Sequence, residues 1–470
     1  MVKEEICVSL KSLFSAKDMT LGSPWKRIME FSIPMLLGNI AQQLYNTADS
    51  VIVGMYVGDN ALAAVGSASP ILNLLLALFV GISTGAGIVV SQSFGAKDRE
   101  GLSKGIGNCI SLTFIATLVI MVVGPIITRP MLNLLDTPAS IIDWCASYLN
   151  IYFFGIIGFF FYNMLSGILR GLGDSVSALG FLLLAAALNV ILDLWFVAGF
   201  GMGVPGVALA TVIAQGISAV FCFVKLMKMS EHFDLNRSSV KLNKAVAMRI
   251  IGIGIPSGIT QAIMSMSMMV VQSLTNSMGE MVIAANVIIM RVDGFAMMPN
   301  FSFGQAMSVY TGQNVGAGKF DRVQKGVRQG SILAQSVAIV LVIAILVFGK
   351  YLFAIFTQTA ALIDLAQRMM QIMAVGYVAI SITQVLGGVM RGAGDTMTPM
   401  WASLICIIFL RVPVAYLIAY LTRSETWPNG SPFALSGSLA INWCLGMVIH
   451  VIVYKLGKWK KKMYNAEYSK

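Results

Sequence analysis

Charge is scarce in this chain. Only 11% of its 470 residues are Asp, Glu, Lys or Arg, where soluble domains carry about a quarter, so a water-soluble globule is excluded at the outset. Histidine is scarcer still, with only His232 and His450. The six cysteines, Cys7, Cys109, Cys145, Cys222, Cys406 and Cys444, contain no C-x-x-C pair. These shortages exclude a zinc centre, a disulfide framework and a Cys/His nucleophile pair, and with them an intramembrane enzyme built on such groups. The first 25 residues offer no small-residue cleavage site, so no cleaved signal peptide is expected.

What the chain has is apolar length: 57% of it is hydrophobic, with a mean hydropathy of +0.81. About 20 apolar residues cross a bilayer as a helix. Twelve segments qualify, near 28–52, 62–93, 105–127, 147–168, 176–199, 204–224, 250–276, 281–311, 329–349, 369–390, 398–421 and 434–454. The expected fold is therefore an all-α integral membrane protein. Its net charge of +11 is unevenly placed, because 26 of the 32 Lys and Arg fall at the termini and in alternate loops. Only Arg129, Lys350, Arg368 and Arg423 lie in the other loops, and Arg291 and Arg411 lie within spans. The positive-inside rule then predicts cytoplasmic termini and a multi-pass protein of the cell (inner) membrane. The tail "KLGKWKKK" reads as a contact to anionic membrane lipid, and no nucleic acid is expected as a partner.

The sequence repeats itself. "SQSFGAKDREGLSKG" aligns with "TGQNVGAGKFDRVQKG" and "GILRGLGDS" with "GVMRGAGDT", and Gln92/Gln313, Gly95/Gly316, Lys104/Lys325, Arg170/Arg391 and Asp174/Asp395 are each 221 positions apart. A constant offset means duplication. Equivalent points are six spans apart, so two six-helix lobes related by a pseudo-two-fold along the membrane normal are expected, facing across a cleft. The predicted boundaries are a cytoplasmic segment 1–27, a first lobe 28–228, a linker 229–249, a second lobe 250–456 and a basic tail 457–470. In the R-G-x-G-D loops the glycines are expected to make tight turns and the aspartates to cap the next helix.

Of 21 acids only Asp49, Asp193 and Asp293 fall well inside spans. Charge in hydrocarbon costs about 3 kcal/mol or more and marks a functional site. Asp49 and Asp193 lie about 27 and about 26 Å along their helices at 1.5 Å per residue, so at matching depth. Asn39, Gln42, Asn46 and Asp49 recur at spacings that share a helix face, as do Asn189 with Asp193 and Thr211 with Gln215. Three polar stripes predict one internal pocket. Two carboxylates there cannot both ionise cheaply, so the pair is a switchable charge that takes up a proton or a monovalent cation. In the second half Arg291 and Asp293 stand two residues apart and do not face each other, while Arg411 precedes Pro413. Asp293 is then either a contact for cationic ligands or part of a buried pairing. Gln261 and Met264, in the Met-rich seventh span, are candidates for the same cavity.

With "QLYNTADSVIVG", the doubled loops and "LNVILDLWFVAGFGMGVPGVALAT", the chain resembles the multidrug and toxic compound extrusion (MATE) family over nearly its whole length. The resemblance implies cation-coupled efflux of cationic or amphipathic organic compounds by rocking of two lobes, with H⁺ or Na⁺ as coupling ion and no cofactor. It is nearest the DinF-like branch, whose cation-site positions match Asp49, Asn189, Asp193 and Thr211, with Tyr148 as a weaker match. The NorM-like branch carries an acid where Met264 stands and another on the tenth span, where "YVAISITQVLGG" has none, which argues against a second-lobe sodium site. A monomer is expected. The competing reading, a flippase for a lipid-linked oligosaccharide, would want more cavity arginines than Arg291 and Arg411.

Overall fold

The structure is a computed structural model describing residues 16–135 and 137–460. Cys7, most of the 1–27 segment and the end of the basic tail lie outside the described residues. Among the described residues there is no strand. The chain opens with α1 (Pro24–Tyr56), α2 (Asp59–Gly95) and α3 (Arg99–Leu134). Next come α4 (Ile142–Phe154) and α5 (Ile156–Gly171), which bend by 54° where they meet. α6 (Ser175–Asp193) continues into a π-helical turn, Leu194–Gly199, before α7 (Gly203–Met227). After the short α8 (Arg237–Val240) the second half runs α9 (Lys244–Ser277), α10 (Glu280–Gly316), α11 (Phe320–Ala354) and α12 (Ala360–Gly392). It ends with α13 (Met397–Leu404), a second π-helical turn Ile405–Arg411, α14 (Val412–Leu421) and α15 (Phe433–Leu456).

Ten of these helical stretches are long and apolar enough to cross a membrane, and the bent pair α4–α5 makes an eleventh. α1 has the length, at 33 residues, but its polar side chains keep it out of that count. With α1 the order follows the twelve spans expected from hydropathy. Their ends differ, because several helices project beyond the apolar stretch. α3, for example, starts at Arg99, capped by the Asp98 carboxylate accepting from Gly101 N at 2.8 Å.

The repeated R-G-x-G-D loops do structural work. Gly173 and Gly394 adopt φ of +86° and +89°, a region that favours glycine. Asp174 accepts from Ser177 N at 2.9 Å and Asp395 from the Thr398 hydroxyl at 2.6 Å, so each aspartate holds the start of the following helix.

The chain forms two compact units. One comprises Met1–Asp18 and Ile33–Gly258, the other Met19–Ser32 and Ile259–Lys470. α1 and α9 therefore each contribute to both, and residues 229–249 pack within the first unit. Glycine sets its close packing: a Cβ on Gly81 would lie 2.4 Å from Gly258 N, and one on Gly85 2.7 Å from Gly254 N. Small residues let helix backbones approach where lipid offers no hydrophobic drive. The first core centres on Leu149, Phe153, Phe160 and Leu165, with Phe79 stacked on Phe160 at 3.7 Å. The second centres on Phe353, Met369, Met370 and Tyr377. Val122 and Ile126 on α3, and Val340 and Val347 on α11, stay exposed, as lipid-facing positions should.

Candidate functional site

Four helices of the first unit bring polar groups together. Asp193 is fully buried at the last residue of α6, and Asn189 sits one turn before it. The Asn189 amide lies 3.2 Å from the Thr211 hydroxyl on α7. Turned so that its nitrogen donates to Asp193 Oδ2 at 2.8 Å, the amide accepts from Thr211 with its oxygen. That orientation satisfies both ends of a buried amide. Asp49, on α1, comes within hydrogen-bonding range of Asp193. An ionised carboxylate only accepts, so contact between two of them requires a proton or a cation.

The sequence reading placed Asp49, Asn189, Asp193 and Thr211 in one pocket, and in the structure these four meet. It missed Tyr45, which lies beside Thr211 and interacts electrostatically with both aspartates. It also missed Tyr152. With Tyr148, Tyr152 is buried on α4, the ring centroids are 6.2 Å apart, and both interact electrostatically with Asp49 and Tyr45. Tyr45 is four residues before Asp49, a spacing that could have flagged it. The rest of the proposed stripe does not join: Gln42 and Asn46 are exposed and Asn39 is half-buried. At 100° per residue Tyr45 sits about 40° from Asp49 and Asn46 about 60° to its other side, so only one of them can turn inward with the acid. Gln215 is buried one turn beyond Thr211 on α7, and its Oε1, like Oδ1 of both Asp49 and Asp193, has no hydrogen-bond partner. These are oxygen donors, the type that suits a proton or a hard cation.

In the second unit Asp293 is half-buried on α10 and accepts from the Tyr377 hydroxyl at 2.7 Å. Tyr377 packs against Trp443, with ring centroids 5.3 Å apart. Arg411, buried at the end of the π-helical turn, interacts electrostatically with Asp293. The sequence offered a ligand contact or a buried pairing, and this is the geometry of a pairing. Arg291 and Gln261 are exposed and Met264 is half-buried. Among the described residues none of the three hydrogen-bonds Asp293. A pocket of about 440 Å³ opens along α9, lined by Met268, Met269, Gln272, Ser273 and Asn276.

The MatE family model matches twice, over residues 34–195 and 256–417. The chain belongs to the MatE family. The two matches are offset by 222 positions, within one residue of the loop repeat. "Probable multidrug resistance protein YoeA" of Bacillus subtilis (strain 168) is 30% identical over 450 residues, 94% of this chain and 95% of that protein. "Probable multidrug resistance protein YpnP" of the same strain is 30% identical, covering 95% and 98%. The MatE fold recurs in solved structures. A crystal structure of MATE in complex with MaL6 superposes with a TM-score of 0.86 at 22% identity, covering 96% of this chain and all of that one. An outward-facing multidrug resistance MATE family transporter of the MOP superfamily superposes at 0.85 and 22% identity, covering 96% and 99%.

Proposed function

We propose that this MatE protein is a secondary active efflux antiporter that exports cationic or amphipathic organic compounds in exchange for H⁺ or Na⁺. The observation that carries the reading is the contact between Asp49 and Asp193 inside the membrane span. Ionised, the two carboxylates repel. A proton or sodium ion removes that repulsion and lets α1 and α6 close on each other. Asn189, held in turn by Thr211, orients Asp193, and Tyr45 lines the same pocket from α1. A cation that favours the closed arrangement and a substrate that favours the open one compete through a bistable first half, which is the differential affinity antiport needs. The coupling therefore belongs to a pocket of the DinF-like kind. Alternating access of the two six-helix halves would carry the substrate, with both termini in the cytoplasm.

The names of the curated relatives, multidrug resistance proteins, support a drug-like substrate. The test is dye export in proteoliposomes with a proton or a sodium gradient imposed separately. Asp49→Asn and Asp193→Asn should each lower gradient-driven export at least tenfold with normal expression, and Asn189→Ala and Thr211→Ala should lower it less. A variant lacking both aspartates that exports at the original rate, with the same ion dependence, overturns the assignment.

A further inference from the structure

The last span runs into a folded turn. α15 closes at Leu456, and Gly457 takes φ of +73°, a left-handed conformation that turns the chain out of the helix. Gly457 N donates to Tyr454 O at 3.2 Å, and Lys460 N donates to Gly457 O at 2.9 Å. Trp459 fastens this turn. Its side chain is fully buried, its ring stacks on Tyr454 with centroids 5.0 Å apart, and its Nε1 donates to Tyr454 O at 2.9 Å. The indole thus serves a carbonyl of the last helical turn, one of those a helix leaves without an internal partner.

Three lysines flank the fastened ring. Lys455, Lys458 and Lys460 are all exposed, and Lys460 Nζ stands 5.9 Å from the Trp459 ring centroid. Among the described residues none of the three is ion-paired with a carboxylate. A lysine in a last helical turn can instead serve the helix dipole or an internal acid. Lys225, in the last turn of α7, has the second: it lies 3.6 Å from the buried Asp174 carboxylate. At the end of α15 the dipole can claim Lys455, but Lys458 and Lys460 lie beyond the helix. α15 has 24 residues, about 36 Å at 1.5 Å per residue, and the hydrocarbon core is about 30 Å thick. Its last turn and the turn that follows therefore stand at headgroup depth.

We propose that residues 455–460 are a built site for the headgroup of an anionic phospholipid, in which Lys455, Lys458 and Lys460 supply the charge and Trp459 is the positioning residue that holds them at the bilayer surface. Each lysine close to an anionic surface is worth about a fivefold gain in binding. A loose basic run would need only that charge; a fastened turn needs Trp459 as well. The site does not depend on the antiport reading.

The test uses the full chain in nanodiscs made of equal parts phosphatidylglycerol and phosphatidylcholine, with the lipids retained on release counted by native mass spectrometry. The unaltered protein should retain phosphatidylglycerol in excess. Lys455→Gln, Lys458→Gln and Lys460→Gln together should cut that excess at least fivefold. Trp459→Ala, which keeps every charge, should cut it at least threefold, and Trp459→Phe, which keeps the stacking and loses the Nε1 bond, should fall between. Thermal unfolding in discs of each lipid alone is the second readout: phosphatidylglycerol should raise the unfolding temperature of the unaltered protein above its value in phosphatidylcholine, and by less than half as much in the triple lysine variant. If Trp459→Ala does not fold, Trp459→Phe and the lysine variant still decide. A lysine variant with the original excess of phosphatidylglycerol ends the proposal. So does a pair of Trp459 variants that both keep the full excess, because the lysines would then act as a loose basic run.

Discussion

Asp293 shows how one hydroxyl can decide what an acid in a membrane is for. The Tyr377 hydroxyl and the nearby Arg411 charge give it partners within its own unit, so its carboxylate is compensated without any ligand. Asp193 has instead a neutral amide and a second acid beside it, neither of which compensates a carboxylate charge. Asp293→Asn should therefore lower export of cationic and neutral dyes alike and destabilise the protein by about 3 kcal/mol, because it leaves Arg411 buried without compensation. Thermal unfolding alongside two-dye transport checks this. A selective loss of cationic dye with unchanged stability would make Asp293 a substrate contact.

At the scale of elements, the fourth span departs most from its sequence expectation. It reads as one apolar run, but the structure bends it by 54° between α4 and α5. The bend falls at Gly155, where α7 packs closely: Val212 Cγ1 lies 2.1 Å from where a Cβ on Gly155 would stand. Gly155→Ala should cost about 1–3 kcal/mol through overpacking, seen as a lower unfolding temperature, and should disturb Tyr148 and Tyr152 on the same bent element. An unchanged unfolding temperature would mean that α7 yields freely. The linker offers a milder case. Arg99 holds the exposed Asp234 carboxyl below the usual carboxylate range through hydrogen bonding and charge. A depressed acid contributes above its unfolded value, about 4, and loses its contribution as pH falls through the lower folded value. Attachment of residues 230–234 should then be constant from neutral pH down to about 5 and weaken only in stronger acid. Proteolysis at the linker across that range is the measurement, and Arg99→Ala should remove the acid dependence.

For the whole molecule, much was legible because membrane physics writes itself into composition. Twelve spans, the duplication and the family could be read from apolar length, a constant offset and a few motifs, and the buried aspartates from their cost. The tyrosines were not legible: an aromatic hydroxyl in an apolar helix looks like packing until its neighbours are known. Nor was the bend at Gly155, the π-helical turns or the sharing of α1 and α9 between units, since each depends on what another helix presents. Orientation rests on the charge count, and it predicts that Ser238→Cys, on the exposed part of the linker, resists an impermeant thiol reagent in intact cells and reacts in inverted vesicles. Rapid labelling from outside would reverse the topology.

The sharing of helices also has a meaning for biosynthesis. Residues Met19–Ser32 are made early yet complete the unit made last, while the first unit waits for residues up to Gly258. A ribosome that has released six spans has therefore not yet released one finished unit, and the first turns of α1 must stay unclaimed until α10 and α11 emerge. A nascent chain halted at residue 228 should remain protease-sensitive, and maturation should be set by the arrival of the seventh span rather than by the sixth.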